Sequence, residues 1–336
     1  MGKQSMLCIN KKGVLVSCNQ HATKIVIPEG VKKIGKEAFF GCSRLKTIEI
    51  PEGVTHIGQS AFRGCHSLVS ISLPSTLTTI GNDAFYDCYS LEQIDLPPSL
   101  KDLGEWVFYN CDCLTSITIP EKIKTIPARA FFRCSKLSQV TLGSAVTTIG
   151  ESAFDGCSSL KSIVLPDSVT RIDSYAFYQC GSLEQVTMSN YVTHIDERAF
   201  VRCKALTAIT LPKTLRVLGS HAFLECDALA HLSFEGRLTR LQACTFSRCR
   251  SLTSVDLPDS ITRICHDAFG CCTSLAQISL PKRLKVVEQN AFLGCVNLKI
   301  VRGHRKPNWK EITFGNRLAS PLAYGATLVL DSTSEE

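Results

Sequence analysis

Apolar positions return along this chain with a period of 23 residues. Phe stands at 39, 62, 85, 108, 131, 154, 177, 200, 223, 246, 269 and 292. Cys follows three residues after each Phe, from Cys42 to Cys295, and Leu six residues after, from Leu45 to Leu298. Ala precedes each Phe except at Val107 and Thr245. Aliphatic side chains recur nine and eleven residues after Phe (Ile48 and Ile50, Ile71 and Leu73), and Pro commonly comes next, as at Pro51, Pro74, Pro97 and Pro120. Two apolar residues separated by one polar residue predict a short strand with one buried face, and Pro, which cannot donate to a ladder, ends it. Aliphatics at fifteen and eighteen (Leu77 and Ile80) predict a second short extended stretch, for example 169–172. A tight turn then carries the small Ala and the Phe, in a period too short for a full helix per unit.

One such unit cannot bury its own apolar face. Stacking turns each column into a continuous core ladder, so the chain is predicted to be a mostly-β repeat solenoid. From its Leu, the unit opens Leu-x-x-Ile-x-Leu, the opening of a leucine-rich repeat. Stretches such as LPSTLTTIGNDAFYDCYSLEQI (73–94) and LPDSVTRIDSYAFYQCGSLEQV (165–186) resemble the BspA-like, or Treponema-type, leucine-rich repeat family. Twelve units over 28–303 carry the resemblance. Residues 1–27 are expected to form an N-terminal cap, and 304–336 a C-terminal cap with a short polar tail. The resemblance implies a curved, right-handed coil, with short strands on its concave face and turns or short second strands on its convex side. It also implies a non-catalytic module that binds proteins or acts as an adhesin at the cell surface. An intracellular scaffold or effector is the alternative, and an enzyme with its site in the irregular 309–324 segment ranks below both.

Composition narrows this further. Charged residues make up 20% and the net charge is +7. No apolar run is long enough for a transmembrane helix. The start of the sequence offers no secretory apolar stretch, and Met6 stands where a myristoylation motif needs Ser or Thr. The expected location is therefore the cytoplasm or export by a route the sequence does not spell out, with the cell surface implied by the family. No phosphate-binding Gly loop, G-x-S-x-G or H-E-x-x-H occurs, and no catalytic residue, cofactor or metal is expected. Of the 18 Cys, twelve lie in the ladder and six outside it (Cys8, Cys18, Cys113, Cys244, Cys265, Cys271). Equivalent positions pointing into one core predict reduced thiols acting as small hydrophobes. The cluster Cys265, His266, Cys271 and Cys272 lacks zinc-knuckle spacing and reads as structural.

Specificity in a solenoid lies in the variable columns. Three of them, seven, eight and ten residues after Phe, face the expected concave sheet and hold small neutral residues, for example Thr115, Ser116 and Thr118. Directly after the core Phe come Phe40, Tyr86, Tyr109, Phe132 and Tyr178, a candidate aromatic contact stripe. Two adjacent columns carry Arg171, His194, Arg216, Arg240, Arg263 and Lys285. Residues 169–310 hold 19 Lys/Arg against 11 Asp/Glu, whereas 1–168 hold 17 against 15. The expected partner is a protein, with an acidic protein or glycan suited to the basic half. Nucleic acid is disfavoured because no base-reading motif accompanies the charge, and the chain is expected to be a monomer.

Overall fold

The computed structural model describes residues 7–303 and 311–330, and Trp309, part of the low-ranked tail site, lies outside them. The chain divides into two compact units, Met1–Ser168 and Val169–Glu336. Each is a mostly-β solenoid, as the periodicity predicts. A 3-10 turn stands at Arg317–Ala319.

Two short strands per coil pair with their equivalents in the next coil. In the first unit, Lys24–Val26, Thr47–Glu49, Ser70–Ser72 and Gln93–Ile94 form one parallel sheet. Val14–Ser17, Lys33–Ile34, His56–Ile57, Thr79–Ile80 and Asp102–Leu103 form a second. In both sheets the register between complete repeats is an offset of 23 residues, as in Thr47↔Ser70 and His56↔Thr79. The strand Cys8–Ile9 folds back antiparallel on Val14–Ser17, beside the first coil. In the second unit, Ser254–Asp256, Gln277–Ser279, Ile300–Gly303 and Thr327–Leu330 are parallel neighbours. Thr313–Phe314 pairs with Val286–Val287, so the irregular C-terminal segment continues both ladders.

The core is the set of repeated columns. All twelve ladder Phe residues are fully buried. Successive rings lie nearly parallel, 4.9–5.5 Å apart in the first unit and 5.1–5.7 Å in the second. This is the parallel strand spacing imposed on side chains. The turn around each Phe has a geometry the sequence does not advertise. The residues two before and two after every ladder Phe have positive φ, from Glu37 and Gly41 to Asn290 and Gly294. Only four of these 24 residues are Gly, so the conformation is held against its intrinsic penalty of about 1–2 kcal/mol per non-Gly residue. Hydrogen bonds between coils hold it. Glu37, Phe39 and Gly41 donate their N–H groups to Gln59, Ala61 and Arg63 carbonyls at 2.8–2.9 Å, and the pattern recurs along the chain.

The Cys column does more than fill space. Cys65, Cys88, Cys111, Cys134 and Cys157 each direct Sγ–H at the Phe carbonyl of the preceding coil, at 3.1–3.2 Å. Cys203, Cys226, Cys249, Cys272 and Cys295 do the same in the second unit. Burial pushes thiols of this column such as Cys111 and Cys203 well above their ordinary pKa, so they stay protonated and can donate. All 18 Cys are free thiols.

Candidate binding surfaces

The residue directly after each ladder Phe sits between the buried ring and a left-handed residue, on the rim of the core. Its backbone is fixed on both sides. The Tyr86 N–H bonds the Asp83 carbonyl at 3.1 Å, and its own carbonyl accepts the Gly64 N–H at 2.8 Å. Tyr109 and Phe132 are held in the same way, with their carbonyls taking the N–H groups of Asp87 and Asn110. Side chains in this column therefore lie one coil apart and stack. Tyr86 and Tyr109 stand 4.3 Å apart at 10°, and Tyr109 and Phe132 4.9 Å apart at 6°. All three are half-buried. Their faces are used up in stacking, and the partly exposed remainder forms a rigid stripe, so the rings both complete the core and leave a surface.

Neighbours that the sequence reading did not single out complete this surface. The Arg63 guanidinium, in the same column, covers the Tyr86 ring at 4.1 Å and lies 3.9 Å from Asp83. Trp106 packs 5.3 Å from Tyr109 at 42°, with Arg129 over its indole at 4.7 Å. Arg129 is in turn paired with Glu151. Arg133 lies 5.5 Å from the Phe132 ring. Burial raises the Tyr86 hydroxyl to about 12, helped by Tyr109 and Asp87. Asp155, next in the column after Phe132, is pushed up to about 7 by burial, against the pull of Arg133 and Arg129. The signal for Arg63 and Asp155 was present as membership of the same column. Aromatic character alone does not mark them.

The structure does not gather all five predicted aromatics. Phe40 is 47% exposed and separated from Tyr86 in its column by Arg63. Tyr178 belongs to the second unit, where it packs at 58° against Tyr175, whose hydroxyl accepts a bond from Arg198.

Of the predicted basic columns, Arg171, His194, Arg240 and Arg263 lie on second strands of the second unit, and Arg216 and Lys285 directly precede such strands. Arg171 is in register with His194, and Arg240 with Arg263. Acids from the same coil and from the next one neutralise part of this charge. Arg171 is clamped by Asp173 and Asp196, and Arg263 pairs with Glu288 at 2.8 Å. His194 Nδ1 lies 2.8 Å from the Thr193 hydroxyl. Arg216, Arg240 and Lys285 make no ion pair among the described residues. Within the first unit, Lys101, Lys122 and Lys124 line a shallow depression of about 650 Å³ with Asp102 and Glu121. On the other sheet, the predicted neutral columns are exposed, and Glu184, Gln185, Thr187, Thr207, Thr210 and Glu235 line a depression of about 430 Å³. Among the described residues, no group of three or more His, Cys, Asp or Glu is placed to hold a metal ion. No described helix is long and apolar enough to cross a membrane.

Comparison with known proteins places this architecture. The sequence matches the BspA type leucine rich repeat region over residues 15–138, 124–252 and 197–316. No curated protein matches it. Among solved structures, a leucine-rich repeat protein from Bacteroides ovatus is 26% identical with a TM-score of 0.66, over 99% of both chains. A leucine rich cell surface protein from Faecalibacterium prausnitzii is 28% identical with a TM-score of 0.58, over 93% of this chain and 97% of that one. A leucine-rich repeat protein from Eubacterium ventriosum, 22% identical with a TM-score of 0.51 over 89% and 88%, shares the fold. With the family match running through nearly all of the repeat array, the chain belongs to the BspA-type leucine-rich repeat family.

Proposed function

We propose that the chain is a non-catalytic binding module that takes a protein partner on the aromatic stripe of its first unit. The observation that carries this reading is the half-exposed stack Tyr86–Tyr109–Phe132, flanked by Trp106 and the Arg63 and Arg133 guanidinium groups. Tyr, Trp and Arg are the residues that dominate binding energy at protein interfaces. Here they are rigid before contact, so little side-chain entropy remains to be lost on binding. A role at the cell surface is supported by the description of the Faecalibacterium prausnitzii relative as a cell surface protein. The basic columns of the second unit favour a second reading, an acidic protein or glycan, because Arg216, Arg240 and Lys285 are left without internal ion pairs among the described residues.

The test is affinity capture with the full chain, followed by titration of the recovered partner. Tyr109→Ala should weaken binding by roughly 30-fold, the equivalent of about 2 kcal/mol for a central aromatic contact. Arg240→Glu with Arg263→Glu should leave it within about twofold. Equal affinity for wild type and Tyr109→Ala, with thermal unfolding showing both folded, would remove the stripe. Loss only in the double charge reversal, together with steep salt dependence, would transfer the function to the basic columns. Surface biotinylation of intact cells decides the location: a labelled chain sustains the surface role, and an unlabelled chain beside labelled surface controls refutes it.

A further inference from the structure

The Cys ladder ends differently from how it runs. Every other ladder Cys with a described side-chain bond finds a Phe carbonyl one coil back, but Cys42 has no ladder Phe behind it. The first coil is shortened where that Phe would stand. Nine residues separate Leu15 from Lys24, and thirteen separate their register partners Ile34 and Thr47. The turn with Ala, Phe and two left-handed residues does not fit into the shorter stretch. Its place beside Cys42 is taken by Cys18, whose sulfur lies 3.1 Å from the Cys42 sulfur. Cys42 is buried, while Cys18 is partly exposed and lies between strands, outside both ladders.

We propose that Cys18 and Cys42 are an oxidation site, closing on exposure to a low-molecular-weight disulfide into a bond that staples the first coil to the array. A disulfide needs sulfurs about 2.05 Å apart, so closure requires an approach of about 1 Å, which side-chain rotation of Cys18 in its short connecting segment can supply. The reaction is thiol–disulfide exchange in two steps. The Cys18 sulfur, the one within reach of solvent, loses its proton and attacks one sulfur of the external disulfide. One external thiolate leaves, and Cys18 carries a mixed disulfide. Cys42 then loses its proton and attacks the Cys18 sulfur, expelling the second thiolate. Two protein thiols are oxidised, the external disulfide is reduced to two thiols, and the two protons released match the two thiolates formed. The sulfur–sulfur hydrogen bond raises Cys18 and lowers Cys42 from the ordinary thiol value, so base takes the first proton from Cys42, and Cys18 becomes the attacking thiolate by passing its own proton to Cys42 across the 3.1 Å contact. The first coil has a parallel neighbour on one side only among the described residues, and the staple ties it across a separation of 24 residues. Solenoid ends are where stacking is least and fraying starts.

The test is oxidation of the full, folded chain by oxidised glutathione at mildly alkaline pH, followed by acid quench and a non-reducing tryptic map. Cleavage after Lys12, Lys24, Lys36 and Arg44 isolates Cys18 in peptide 13–24 and Cys42 in peptide 37–44, each with one Cys. The expected result is these two peptides joined, about 2 Da below the sum of their masses, with no retained glutathione. Cys42→Ser should stop the reaction at a stable glutathione adduct on Cys18, and Cys18→Ser should leave Cys42 unmodified. The wild-type map decides even if a variant misfolds. A persistent glutathione adduct on Cys18, a cross-link of Cys18 to any other Cys, or recovery of both peptides as free thiols while the exposed Cys8 is modified would each overturn the assignment.

Discussion

Truncation of a single ladder ring measures how much of the fold rests on stacking. Phe108 is fully buried between Phe85 at 5.5 Å and Phe131 at 5.4 Å. Its backbone N–H bonds the Ala130 carbonyl, and its carbonyl accepts from Cys111 N–H and Cys134 Sγ–H, none of which involves the ring. Phe108→Ala therefore removes ring burial and two stacked contacts while leaving the backbone ladder intact. Neighbouring rings are pinned by their own coils and cannot collapse into the void, which places the loss at about 3–5 kcal/mol. Tyr109→Ala, one residue along, removes a half-exposed ring and should lose roughly 1–2 kcal/mol, since less area returns to water. Excision of Leu91–Cys113 joins Ser90 to Leu114 in the same column and lets Phe85 stack directly on Phe131. Urea unfolding followed by circular dichroism compares the three, with amide exchange mapping the coils that open, because stacked coils need not unfold as one step. The stacking argument fails if Phe108→Ala shifts the midpoint no more than Tyr109→Ala. It also fails if the excised chain does not fold while Phe108→Ala does.

Two further outcomes follow from single residues. Asp155 has its carboxyl raised to about 7 in the folded state, above its unfolded value of about 4, so the folded state binds the extra proton between these limits. Stability should fall as pH rises from about 4 to about 7, and Asp155→Asn should remove that fall; parallel Tm-against-pH curves for wild type and variant would refute it. Gln179 is exposed with φ of 56°, its N–H bonded to the Val201 carbonyl at 2.8 Å. Gln179→Gly should preserve or raise stability by up to about 1 kcal/mol, while Gln185→Gly in a strand should lower it by about 0.5–1 kcal/mol. A lower midpoint for the first than for the second would contradict the left-handed turn.

The 23-residue period determined the solenoid and its core by itself. Phe, Cys and Leu recur in fixed columns, and a column that must face its own copy in every coil tolerates little variation. That is why Phe39 to Phe292 could be placed inside without coordinates. Other features depend on what stands one coil away, and no local pattern records them. Glu37, Trp106 and Arg129 give no sign of a left-handed backbone, because carbonyls of the next coil impose it. The ladder Cys residues look like small hydrophobes until the Phe carbonyl 26 residues earlier is seen to accept their thiols. Five aromatics in one column looked like one stripe, but only Tyr86, Tyr109 and Phe132 have rings in adjacent coils of one unit with nothing between them. Arg171 looked like free charge until the fold brought Asp196 to it from 25 residues along the chain. Periodicity repeats an environment and so can be read along the chain, whereas a contact between unlike residues of different coils exists only after they have stacked.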